Sequence, residues 1–177
     1  MNLIQPYQNR WAEDFIKISM VIMSALAPLD IYIEHVGSTA VRGLAGKPII
    51  DIDVAFHGEV NFDEINKRLI KIGYHHVGDQ GIKGREVFKR DIKENQHPIL
   101  DSISHHLYVC PSHSEELKRH LNFRDHLREN ASSRMEYERL KLALADEAKQ
   151  DKKKYAQLKE SMAKEFIESL LSIEDTE

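Results

Sequence analysis

A single cysteine, Cys110, stands in a chain of 177 residues, so no internal disulfide can form and a reducing compartment suits the protein. Cys110 lies between Val109 and Pro111 at the end of an apolar run and reads as a small buried hydrophobe rather than a nucleophile. No run of about 18 apolar residues exists, which excludes a membrane-spanning helix. Met1 to Arg10 is polar and lacks the apolar core of a signal peptide, so a cytoplasmic location is expected. Gly/Ser-rich and Pro-rich stretches are missing, as are internal repeats. One domain over 1–177 is therefore expected, with a mixed-sheet core over 1–112 and helices over 113–177. Excess positive charge is lacking too. The net charge of −4 argues against a protein that coats nucleic-acid backbones, but a local cluster of cations can still hold a nucleotide's phosphates.

The patterns that are present alternate between helical and extended periods. Trp11, Phe15, Ile18, Ile22 and Leu26 recur at three- and four-residue steps, which predicts an amphipathic helix over about Asn9 to Ala27, stopped near Pro28. Strands are expected at Ile31–Val36, Ile49–Phe56, Tyr74–Val77, Glu86–Arg90 and Ser102–Val109, with a short helix over Asp63–Ile72 closed by Gly73. Beyond Ser112 the pattern is helical, over Ser114–Glu129, Ser133–Glu147 and Lys152–Leu171. Strands mixed with helices and followed by helices alone describe an α+β or α/β domain with a helical C-terminal cap.

The chemistry concentrates between Gly37 and Asp53. Alternate strand residues share a face, so Asp51 and Asp53 point one way while Ile50, Ile52 and Val54 point into a core. Two neighbouring carboxylates repel unless something compensates them. A divalent cation is the simplest compensator; oxygen ligands suit Mg2+, with Mn2+ as the variant. Metal ions held there would stabilise the attacking and leaving oxygens of a nucleotidyl transfer. Gly37 at a strand end lets the backbone turn close to a ligand, and Ser38 and Thr39 offer hydroxyls and N–H groups to phosphate. Lys47, four residues before Asp51, adds a cation.

The stretch Ile33-Glu34-His35-Val36-Gly37-Ser38-Thr39, then Gly43-Leu44, then Lys47-Pro48-Ile49-Ile50-Asp51-Ile52-Asp53, resembles the GrpB family of bacterial proteins. So do His105-His106-Leu107-Tyr108-Val109 and His120-Leu121-Asn122-Phe123-Arg124-Asp125-His126-Leu127-Arg128, with Tyr137 and Leu140-Lys141 behind them. The resemblance spans nearly the whole chain and implies the nucleotidyltransferase fold, a mixed sheet flanked by helices. It maps Gly37, Ser38, Asp51 and Asp53 onto that fold's signature and leads one to expect a third carboxylate on a later strand. A nucleoside triphosphate donor and a small-molecule acceptor are the partners so implied. The alternative is a module that holds a nucleotide or coenzyme without catalysis. Two positions depart from the family pattern: Arg42 replaces an expected proline and reads as solvent-facing, and the later strand carries His105 and His106 where an acid is expected.

Asp101, just upstream of that strand, is the leading third-acid candidate, with Glu86 and Asp91 behind it. His35 and one of His105 and His106 are candidates to face the acidic pair; such a histidine, with His106 foremost, would serve as a general base or as a metal ligand favouring manganese, iron or zinc. Only one of the adjacent pair can do so, because neighbours on a strand face opposite ways. Among the cations between Leu117 and Lys141, Arg124 is the candidate phosphate ligand, and with Arg128 on the same helix face and Lys118 or Lys141 it could close over a triphosphate. The stretch lacks the interleaved aromatics of an RNA stacking platform.

Overall fold

The computed structural model describes residues 2–91, 95–159 and 166. Helix α1 (Arg10–Leu26) precedes strand β1 (Ile31–Val36), and a single 3-10 turn (Ser38–Ala40) leads toward β2 (Ile50–Phe56). Then come α2 (Phe62–Lys71), β3 (Tyr74–His76), β4 (Glu86–Arg90), α3 (Pro98–Ser102), β5 (His105–Pro111), α4 (Glu115–Glu129) and α5 (Ala131–Glu147). Residues 152–159 are helical; the rest of the helix expected to Leu171 falls outside the described residues, apart from Phe166. The short α3 was not anticipated. It starts on Pro98 behind His97, whose imidazole Nδ1 accepts the Ile99 N–H, so local capping makes a turn of helix too short to carry a periodic signal.

The five strands form one mixed sheet in the order β1-β2-β5-β4-β3. β1 and β2 are antiparallel, β2 and β5 parallel, and β5–β4 and β4–β3 antiparallel. The α+β architecture expected from the sequence is the one observed. One sheet face is apolar: Ile50, Ile52 and Val54 of β2 and Leu107 and Val109 of β5 pack with Ile18, Ile22 and Leu26 of α1 and Ile65 and Leu69 of α2. All are essentially inaccessible to water, and each large aliphatic side chain so buried contributes about 1.5–3 kcal/mol. This core fixes the register of β2, because a one-residue slip would drive its two aspartates into it.

The opposite face is covered only in part. Ala55 and Cys110 lie under Leu117 of α4, with Tyr32 and Leu121 beside them. Helix α4 is anchored by Ser114, whose hydroxyl accepts the Leu117 N–H and donates to the Gly84 carbonyl. α5 packs its Tyr137 against Val41 and Leu44 and its Leu144 and Ala145 against Leu3, Ile4 and Tyr155. The helices therefore cap the far end of this face and leave its near end, at Asp51, open.

Candidate functional site

The open end of the sheet gathers the acidic pair. In the β2–β5 register Asp51 stands opposite His106 and Asp53 opposite Tyr108. His106 Nδ1 donates to Asp51 Oδ1 at 2.9 Å. The β1 turn passes directly over Asp51: a Cβ on Gly37 would sit 2.4 Å from Asp51 Oδ2, and Gly37 has φ +73°. Both the left-handed backbone and the absence of a side chain are needed there.

Asp53 is 1% exposed and held from above by α4. His120 Nδ1 donates to Asp53 Oδ2 at 2.7 Å, and His120 Nε2 donates to Glu116 Oε1 at 3.1 Å. An imidazole that donates from both nitrogens is an imidazolium. Burial alone would lower its pKa, but hydrogen bonds to Asp53 and Glu116 outweigh this and push it up to about 9. Glu116 also accepts two bonds from Arg119 and lies 3.7 Å from Arg85. Burial would raise its pKa; His120 and Arg119 instead hold it at about 2. The protein thus supplies its own partial compensation for the acidic pair, through one histidine from β5 and another from α4.

Above these groups opens a cleft of about 960 Å³. Among the described residues, five basic side chains line it, namely Lys47, Arg85, Arg119, Lys141 and Lys159, against the two carboxylates of Asp51 and Glu116. On a chain of net charge −4 this is a local reversal of sign that suits a polyanion. Arg85 stacks on the Tyr108 ring at 4.4 Å and Lys47 on the Tyr155 ring at 4.2 Å, which fixes both cations at the wall. Lys141 is 1% exposed; its Nζ donates to Ser38 Oγ at 3.0 Å and to the Ala45 carbonyl. Burial first, and then the nearby Lys159, lower its pKa to about 7 against the pull of Glu138.

The structure brings Gly37, Ser38, Asp51, Asp53 and His106 together, with Thr39 and Lys47 at the cleft wall. Three other candidates lie elsewhere. His35 stands opposite Ile52 and so faces the apolar side of the sheet, against the expectation that it joins the acidic pair. There it stacks on Phe15 and donates from Nε2 to Thr39 Oγ1, which itself donates to the Ile49 carbonyl. Burial lowers the His35 pKa to about 4, which leaves it a neutral structural side chain. Asp101 sits on α3 and is taken up by Arg90 and the His97 N–H, apart from the cleft. Arg124 is bound to Glu34, to Asp125 and to the His35 carbonyl, so its guanidinium ties α4 to β1 instead of lining the cleft. Of the weaker third-acid candidates, Glu86 pairs with Val109 and so takes the apolar face, and Asp91 follows the end of β4. The β5 positions on the acidic side are His106, Tyr108 and Cys110, so β5 supplies no third carboxylate. His105 is the member of the pair turned away, toward Tyr74.

Sequence reasoning passed over Glu116, His120, Arg85, Tyr108 and Lys159 as cleft residues and offered Lys141 only as a cation that could close over a triphosphate. A signal for the helical ones existed: Glu116, His120 and Arg124 are spaced i, i+4, i+8, a polar stripe on the face of α4 that meets the sheet.

Among the described residues no group of three or more His, Cys, Asp or Glu forms a ready metal cage. The acidic pair nevertheless fits a hard cation. Asp53 Oδ1 is buried and finds no hydrogen-bond donor among the described residues, an orphaned oxygen of the kind that a cation satisfies. Carboxylate oxygens with phosphates and waters are what Mg2+ or Mn2+ takes. Two imidazoles stand at the pair, each bonded through Nδ1 to a carboxylate, His106 to Asp51 and His120 to Asp53, while His35 is on the other face.

A family model described as GrpB protein matches residues 3–169. The "Glutamate-rich protein GrpB" of Alkalihalophilus pseudofirmus is 29% identical over 173 residues, covering 96% of this chain and 94% of that protein. The UPF0157 protein SCO7215 of Streptomyces coelicolor is 32% identical over 156 residues, covering 88% of this chain and 77% of its own. Among solved structures, the conserved protein GrpB from Enterococcus faecalis superimposes with a TM-score of 0.77 at 29% identity, covering 96% and 97% of the two chains. A Cid1 poly(U) polymerase structure with Mg 3′-dATP bound superimposes with a TM-score of 0.53 at 12% identity, covering 88% of this chain and 49% of the polymerase. That likeness is one of fold alone, and the fold is the nucleotidyltransferase fold.

Proposed function

The chain belongs to the GrpB family, and from the geometry of its cleft we propose that it is a metal-dependent nucleotidyltransferase that takes a nucleoside triphosphate as donor and a small molecule as acceptor. The observation that carries this is the cleft itself: five cations converge on the end of the sheet that bears Asp51, directly beside the Gly37–Ser38 turn. Ser38, Thr39, Lys47, Lys141 and Lys159 would form the phosphate-facing wall with Asp51, and Asp51, with the unmet Oδ1 of the buried Asp53 behind it, would hold Mg2+ or Mn2+. When bound, such an ion neutralises charge developing on the transferring phosphoryl group. His106, whose Nδ1 is committed to Asp51, keeps Nε2 for the acceptor hydroxyl and would take its proton as general base. A cytoplasmic setting agrees with the single buried Cys110, and no helix among the described residues is long and apolar enough to cross a membrane.

A second reading keeps the nucleotide and drops the reaction. It is favoured by β5, which offers His106 and Tyr108 to the site where an acid is expected. Incubation with each nucleoside triphosphate, Mg2+ or Mn2+ and a metabolite pool separates the two. Transfer predicts pyrophosphate release that Asp51→Ala abolishes. Calorimetric nucleotide binding that depends on Asp51, without release for any pair, supports the module. Binding and release both indifferent to Asp51→Ala and Asp53→Ala would refute the site.

A further inference from the structure

Arg85 is held in the cleft with its hydrogen-bonding capacity unused. Its guanidinium lies 4.4 Å over the Tyr108 ring, and its side chain is 12% exposed. Its acidic neighbour Glu116 is 3.7 Å from Nη1, beyond hydrogen-bond reach, and is instead taken up by Arg119 and His120. Arg85 Nε is buried and finds no acceptor among the described residues, an orphaned donor of the kind that a ligand's oxygen satisfies. The backbone beside it is pinned, because the Ser114 hydroxyl donates to the Gly84 carbonyl. A planar fork of donors, stacked in place on the cleft wall, matches the paired oxygens of a carboxylate or a phosphate.

The sheet sets this guanidinium apart from the groups that face the donor. In the order β1-β2-β5-β4-β3 the reacting centre lies between Asp51 on β2 and His106 on β5. Ser38, Thr39 and Lys47 belong to the connection from β1 to β2, and Lys141 reaches Ser38 from α5. Arg85 enters from the other side, immediately before β4, whose Val87 stands opposite Tyr108 of β5. A triphosphate held by the first set leaves Arg85 to the molecule that approaches His106. We propose that the acceptor is an anion, a small molecule with a carboxylate or phosphate besides its reacting hydroxyl, and that Arg85 recognises the anionic group; this rests on the transferase reading of the cleft. In the transfer, the acceptor oxygen bonds to the α-phosphorus while the bond from that phosphorus to the bridging oxygen of the β-phosphate breaks. Pyrophosphate leaves with the electron pair, and the hydroxyl proton passes to His106 Nε2. Arg85 takes part in none of these bonds. It holds the acceptor's other end and so sets which hydroxyl compounds react.

The test splits a metabolite pool on an anion-exchange column into a flow-through of neutral and cationic compounds and a retained anionic fraction, eluted with volatile buffer. Each is incubated with the full chain, each nucleoside triphosphate and Mg2+ or Mn2+. Pyrophosphate release is expected with the retained fraction only. Phosphatase treatment of that fraction, with the phosphatase removed before the assay, abolishes release where the group is a phosphate and spares it where the group is a carboxylate. In Arg85→Met the amount of retained fraction needed for half-maximal release should rise about tenfold or more, with the rate at saturation within about threefold of wild type and calorimetric nucleotide affinity within about twofold. Arg85→Lys keeps the charge without the fork and should fall between the two. Release carried by the flow-through overturns this inference and leaves the transferase reading standing. So does nucleotide affinity lost in both variants while their circular dichroism stays that of wild type, since Arg85 would then serve the donor. No release with either fraction overturns the transferase reading and this inference with it.

Discussion

Replacing His120 by glutamine tests the charge logic of the site without touching the sheet. In the folded protein His120 donates to Asp53 and Glu116, and its pKa rises to about 9 from an ordinary 6.5. A base that holds its proton more tightly when folded stabilises the fold fully below about pH 6.5. That contribution declines as pH rises and is gone above about 9. The difference between the two values, at 1.36 kcal/mol per pH unit, corresponds to about 3 kcal/mol. The imidazole is one-fifth exposed and so only modestly screened by solvent. Urea denaturation of both proteins followed by circular dichroism, at intervals from pH 5.5 to 9.5 with chelator present, gives the difference in unfolding free energy. Glutamine keeps one amide donor for Asp53 but no charge, so the wild type should be the more stable by about 2–3 kcal/mol at pH 6. The gap should close by pH 9.5. Taking the difference removes other groups that titrate in this range, Lys141 among them. Two parallel stability curves would show that His120 is neutral in the folded state and that Asp53 is compensated some other way.

Gly37→Ala forces a left-handed φ on a residue with a Cβ and drives that atom into Asp51 Oδ2; a loss of about 1–3 kcal/mol in thermal or urea unfolding, together with loss of nucleotide binding, is expected. Arg124→Ala unties α4 from β1 by removing its bonds to Glu34 and the His35 carbonyl. It should lower stability by about 1–3 kcal/mol while calorimetry on the folded variant finds nucleotide affinity within about twofold of wild type. Lys141→Met should act in the opposite direction. The folded pKa of this lysine is depressed to about 7 from 10.5, so burying its ammonium costs stability below pH 7, and the cost is relieved as pH rises toward 10.5. The full difference is about 5 kcal/mol; after loss of the bonds to Ser38 and Ala45, at about 1 kcal/mol each, the variant should gain about 2–3 kcal/mol at pH 6 and progressively less by pH 10.

Strand chemistry was the most legible part of the sequence. Period-two alternation put Asp51 and Asp53 on one side of β2, and the core under Ile50, Ile52 and Val54 holds them there. The same rule separated His106 from His105. Applied to β1 it would also have turned His35 away, since Glu34 and Val36 are the residues that stand opposite Asp53 and Asp51. Proximity to the Gly-Ser turn hid that. Arg124 was misplaced for a different reason: an arginine in a basic helix, inside a motif that resembles the family's, looks like a phosphate ligand until its acidic partners in space are known. Glu34, 90 positions away, is one of them.

What no local pattern contained is the origin of the site's charge balance. Two carboxylates on a strand must be compensated, and from the strand alone a divalent cation is the economical answer. Helix α4 changes the terms, because beside its buried Leu117 and Leu127 it turns Glu116, His120 and Arg124 toward the sheet, and His120 puts a protonated imidazole on Asp53 before any ligand arrives. Asp53 Oδ1, buried, is left without a donor among the described residues. The acidic pair is therefore part-neutralised on one carboxylate oxygen and orphaned on another. That arrangement favours a cation arriving with its own anionic ligands over one bound by the protein alone, since two carboxylates already shared with histidines cannot complete an octahedral shell. On the proposed reading, a nucleotide's phosphates would supply both the missing ligands and negative charge to match the cations of the cleft. Metal and nucleotide should accordingly bind together, each weakly without the other.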